Sequence, residues 1–175
     1  MNTVSFKEIS LQEFDHEMAT ARKMLERVPL AEKKDWKPHE KSMLLGRLAK
    51  HVATLPGLVA DIVEKDSLAF GAKGSGAGNE EPEDAAGLVA LFDGKAKAAR
   101  AALEGTTDEH LAGEWELVFD DGTNKRRIFK GPRALAYRTL FIDHFIHHRA
   151  QLGVYLRLND VPIPGSFGPS ADEPM

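Results

Sequence analysis

Two imidazoles, His144 and His148, stand four residues apart in the segment YRTLFIDHFIHHRAQLGVYLRL, residues 137–158. On a helix that spacing projects both side chains from one face, where they can share a metal ion. A third histidine, His51, falls in SMLLGRLAKHVATLPGLVADIVEKD, in line with Leu44, Leu48, Leu55, Leu58 and Ile62. A neutral histidine buried alone needs hydrogen-bond partners for its ring nitrogens. Three on converging faces are costly to satisfy separately. A divalent ion resolves this by taking one nitrogen from each ring and leaving the other N–H for a carbonyl or carboxylate. The competing reading is three core histidines, each with a local hydrogen bond. Imidazole donors suit Zn or Ni first, with Fe, Co, Mn or Cu also admissible. Three protein ligands leave at least one coordination position for water or substrate, the pattern of a catalytic site.

The remaining histidines fit the site less well. His147 lies a quarter-turn from His148 and belongs beside the site or against another helix. His16, His39 and His110 fall in polar surroundings and read as surface groups. Asp143 and Arg149 flank the pair and read as solvent or interface groups. The sequence names no general base; Asp143 and His147 are the candidates, and geometry must decide between them.

Helices are needed to carry these groups. Leu11, Phe14, Met18, Ala21, Leu25 and Val28 recur at three-four spacing and predict a helix over about 7–28, with Ser10 and Glu13 as a capping box. A polar connector with Trp36 and Pro38 follows. The second helix, about 42–65, contains Pro56, which predicts either a bent core helix or a bend that shapes a pocket. A third helix spans about 84–104, with Gly105 placed to end it. The fourth spans about 132–158. Residues 67–83 are rich in glycine and acids and read as a mobile loop. The run GAKGSGAG within them lacks the GK[ST] ending and the preceding strand of a phosphate loop. Residues 114–129 alternate Trp115, Leu117 and Phe119 with acids and predict an inserted β-hairpin turning at Asp121-Gly122. Its basic residues Lys125, Arg126 and Arg127 read as a solvated edge. Residues 160–175 form an extended tail anchored by Phe167. The sum is an all-α four-helix bundle with a small hairpin, one domain over residues 1–175.

Bulk properties narrow the function. The chain has 175 residues, no Cys and a net charge of −4. Thiolate metal sites and disulfides are therefore excluded, and no general attraction to nucleic acid or anionic lipid follows. Charges interrupt the first residues, against a signal peptide. No stretch approaches the ~20 apolar residues of a membrane span. A cytoplasmic protein acting on a small molecule is the expectation.

The phrases HVATLPG around His51 and DHFIHHRAQLGVYLRLNDVPIPGSFGPSADE, with Trp36-Lys37-Pro38 ahead of Ser42, resemble the DinB family of DinB/YfiT-like metal-binding bundles. The resemblance runs over about residues 10–173. It implies an up-down-down-up four-helix bundle with a long crossover, often a homodimer. It also implies a divalent metal held by His51, His144 and His148. Members of that family include transferases and isomerases that use low-molecular-weight thiols such as bacillithiol, mycothiol or glutathione. Two functions are therefore expected to compete: a metal-dependent thiol S-transferase or hydrolase, and a non-catalytic stress-related binding module with a structural or adventitious metal.

Overall fold

The computed structural model describes residues 4–71 and 81–173. Most of the GAKGSGAG run lies outside the described residues. The described chain is mostly helical, with a small three-stranded sheet.

Helix α1 spans Phe6–Leu25. Its N-cap is Ser5, whose hydroxyl accepts from the Glu8 amide, rather than Ser10. Ser10 is buried within the helix, and its carbonyl accepts from the Tyr137 hydroxyl at 2.9 Å. The last turn tightens through the Val28 amide to the Leu25 carbonyl, and Pro29 prevents continuation. A short α2, Leu30–Lys33, precedes α3, Leu45–Thr54, and α4, Gly57–Glu64. Pro56 separates α3 from α4, as its missing N–H requires. Thr54 bridges the break from the α3 side, donating its hydroxyl to the Lys50 and His51 carbonyls at 3.0 and 3.2 Å.

Strand β1, Ser67–Gly71, occupies the start of the segment predicted as a loop. It pairs in parallel with β2, Glu114–Asp120, which pairs antiparallel with β3, Lys125–Pro132. The expected hairpin is present as β2 and β3, extended by β1; the expected loop over 67–83 is corrected at 67–71, while 72–80 lie outside the described residues. β1 is too short to show a period, and it borrows its hydrogen bonds from a strand about fifty residues away. Gly71 has φ 110°, and a Cβ there would stand 2.6 Å from the Phe119 ring, so glycine closes this strand. Trp115 is fully buried and seats the sheet on the helices. Across β2 and β3, Arg127 pairs with Glu116 at 2.8 Å, and Lys130 with Glu114 at 2.9 Å.

Helix α5, Ala85–Gly105, is capped by Asp84, which accepts from the Gly87 amide. It packs against α1, α3 and α4. After α6, Asp108–Ala112, and the β2–β3 pair, the fourth helical segment starts with α7, Arg133–Ala136. It passes through a π-helical turn, Tyr137–Ile142, into α8, Asp143–Arg157. Arg133 is buried and donates to the carbonyls of Ile62 and Lys65 at 2.6 and 2.5 Å, satisfying the open end of α4.

The tail folds back over the helices. Asp172 pairs with Arg157 and accepts from the Ile163 amide at 2.9 Å, and Glu173 pairs with Arg27. Phe167, the expected anchor, is 72% exposed; among the described tail residues the buried one is Pro164. Hydrophobicity nominated Phe167, but ion pairs hold the tail in place. Among the described residues, no helix is long and apolar enough to cross a membrane.

Candidate metal centre

His51 sits in the last turn of α3, and His144 and His148 in the first two turns of α8. The two helices pack directly. The three rings converge: His51 lies 4.5 Å from His148 and 5.1 Å from His144, and His144 lies 4.6 Å from His148, between centroids. One ring nitrogen from each can be chosen so that all lie within 4.8 Å of one another. Nε2 of His51 and Nε2 of His144 are 3.2 Å apart. Two imidazoles bound tetrahedrally with N–Zn bonds of 2.0–2.1 Å would place their nitrogens about 3.3 Å apart. The donors therefore fit one divalent ion with small adjustment. Among the described residues no carboxylate joins the group.

The chemistry of the rings agrees with that fit. Burial lowers the His51 pKa to about 4, helped by repulsion from His148, His144 and Arg47. Burial also lowers His144 and His148, with His148 repelling His144 and His147 repelling both. Neutral rings are the ligating form. Nδ1 of His148 lies 2.8 Å from Oε1 of Gln151, so the Nδ1–H donates outward and Nε2 is left as a lone pair. The Leu140 carbonyl interacts with the His144 ring and offsets part of its depression. That carbonyl belongs to the π turn, where the ordinary i to i+4 ladder is interrupted. Without an ion, the short approach of His51 to His144 can hold only one hydrogen bond, because two lone pairs would repel.

The other candidates separate cleanly. His147 is exposed, with its ring 4.8 Å from that of His148, outside the trio. Asp143 is exposed and faces Arg138 at 3.5 Å. His16 and His39 are exposed. His110 is exposed too, with Nε2 donating to the Val63 carbonyl at 2.8 Å. Arg149 was expected at solvent or an interface. Instead it is 3% exposed, 3.0 Å from Glu17, which is 1% exposed. It also donates to Ser166 Oγ at 2.8 Å, and its guanidinium lies 5.5 Å from the Phe167 ring centre. The reason is helical geometry: Arg149 faces α1 and the tail while its neighbour faces α3. Gln151, the tether of His148, was not singled out from the sequence, although its i+3 spacing marks it.

No family model matches the sequence, and no curated protein matches it. Solved structures do. A DinB-like protein from Bacillus cereus ATCC 10987 superposes with a TM-score of 0.67 at 23% identity, covering 90% of this chain and 95% of that one. A DinB-like protein from Bacillus subtilis superposes with a TM-score of 0.62 at 23% identity, covering 89% and 96%. The chain has the DinB-like fold.

Proposed function

We propose that this protein belongs to the DinB family as a four-helix bundle of the DinB/YfiT-like topology. In this reading it binds one divalent metal through His51, His144 and His148 and acts as a metal-dependent enzyme on a small molecule. The reaction is transfer of a low-molecular-weight thiol to an electrophile, or hydrolysis. Zinc or nickel suits the three imidazoles, and a cytoplasmic homodimer is the working form. The observation that supports this is the convergence of three neutral ring nitrogens with no fourth protein donor among the described residues. A bound divalent ion supplies acidification of a coordinated thiol or water. The protein's part is to keep the rings neutral by burial and to fix the His148 tautomer through Gln151.

The test is spectroscopic. Untagged protein is assayed for metal, then reconstituted with cobalt(II) and titrated with glutathione. A visible spectrum that shifts on thiol addition, and that is absent in His51→Ala, supports an open catalytic site. A cobalt spectrum indifferent to thiol makes the metal structural. Protein that retains no divalent ion at all leaves only hydrogen-bonded histidines.

A further inference from the structure

Next to the histidines lies a cleft of about 520 Å³ between α4, α5 and β1. That volume falls within the range of small-molecule pockets. His51 forms part of its wall, so whatever fills the cleft lies against the metal centre. The walls carry Leu55, Leu58, Leu68 and Phe70, and Phe70 is 38% exposed. Three charged groups complete the lining. Asp61 and Lys65 pair with each other at 2.6 Å. The third, Lys95 of α5, is half-buried and has no ion pair or hydrogen bond among the described residues. Lys50 of α3, by contrast, is paired, with Glu81 at 2.5 Å. The Lys95 stem passes over the α3–α4 break: a Cβ on Gly57 would stand 3.4 Å from Lys95 Cδ. The bend at Pro56 thus shapes the cleft floor over which the ammonium is carried.

We propose that this cleft binds an anionic small molecule with an apolar body, its acid group on Lys95 and its far end against His51. An ammonium carried by a half-buried side chain, with no partner among the described residues, gains from a charged acceptor. The Asp61–Lys65 pair is internally neutral, so Lys95 sets the sign and a cation is rejected. The leucines and Phe70 set the apolar character. That this ligand is the substrate rests on the catalytic reading above; that it binds does not.

The metal-free protein is titrated calorimetrically with octanoate, 1-octanol and octylammonium. Octanoate is expected to bind at one per chain, about tenfold or more tighter than octanol, with octylammonium weakest. Shortening octanoate to hexanoate should weaken binding by up to about fourfold per methylene. Lys95→Gln should erase the octanoate advantage while leaving octanol binding and cobalt binding unchanged. Equal affinities for octanoate and octanol, undiminished octanoate binding by Lys95→Gln, or tighter binding of octylammonium would overturn the proposal. Metal uptake and octanoate binding measured together on the unsubstituted protein separate the two readings. Octanoate binding by a protein that takes up no metal sustains the cleft and sinks the metal centre; metal uptake without octanoate selectivity does the reverse.

Discussion

His148 and Arg149 are consecutive on one helix, face different neighbouring helices, and are satisfied in opposite ways. Arg149 faces α1 and meets Glu17, so two charges buried to 3% and 1% exposure cancel within the protein. His148 faces α3 and meets two more neutral rings, a group that no carboxylate joins among the described residues. The first cluster is complete in charge and belongs to stability. The second is completed from outside and belongs to binding. Desolvation acts on both: it raises the Glu17 carboxyl against the pull of Arg149 and lowers all three histidines. The difference is whether a counter-charge is built in.

That contrast can be broken most forcefully on the Arg149 side. Arg149→Met leaves Glu17 buried without its cation and is expected to cost ~3–5 kcal/mol in urea unfolding. Replacing both, as Glu17→Leu with Arg149→Met, should recover most of that loss. A double variant as weak as the single one would mean the pair is not self-contained. On the histidine side, His144→Ala should leave unfolding of the metal-free protein within about 1 kcal/mol. It should weaken zinc binding, read by chelator competition, by more than about 100-fold, beyond the range for outer partners. Gln151→Ala frees the His148 tautomer and should weaken zinc binding by about 10- to 100-fold.

A smaller effect follows from pH. With the His51 pKa held at about 4 against an ordinary 6.5, the unfolded chain takes up protons between those values before the native one does. Stability of the metal-free protein should therefore be at its plateau above about pH 6.5 and decline as the pH falls toward 4. Flat stability across that window would show that the rings are not buried neutral. The least effect is expected at the tail: Phe167→Ala should change stability by no more than about 0.5 kcal/mol, since the ring is mostly exposed.

Much of this was legible in the amino-acid sequence. Four-residue spacing on one stripe pointed to His144 and His148, and the apolar company of His51 pointed to the facing helix. The break at Pro56 was legible because a missing N–H acts locally. What escaped depends on partners far away in sequence. β1 becomes a strand only by pairing with β2. Arg149 is buried only because Glu17, on another helix, neutralises it. Ser5 displaced Ser10 as the cap because Ser10 turns inward, where its carbonyl meets Tyr137. Phe167 misled because it lies over Arg149 and His16 with one face and leaves most of its surface exposed.

The π turn at Tyr137–Ile142 has a consequence for phase. In an unbroken α-helix, Tyr137 and His144 would lie two turns apart and point the same way, since seven residues make almost two full rotations. Here Tyr137 reaches the Ser10 carbonyl on α1, and His144 reaches His51 on α3. The wide turn acts as a vernier, offsetting the downstream half of the helix by about one residue. One continuous rod can then serve two clients that a regular helix would force onto a single face. Losing a single residue from that turn would leave each sequence motif intact and still point the histidines at the wrong neighbour.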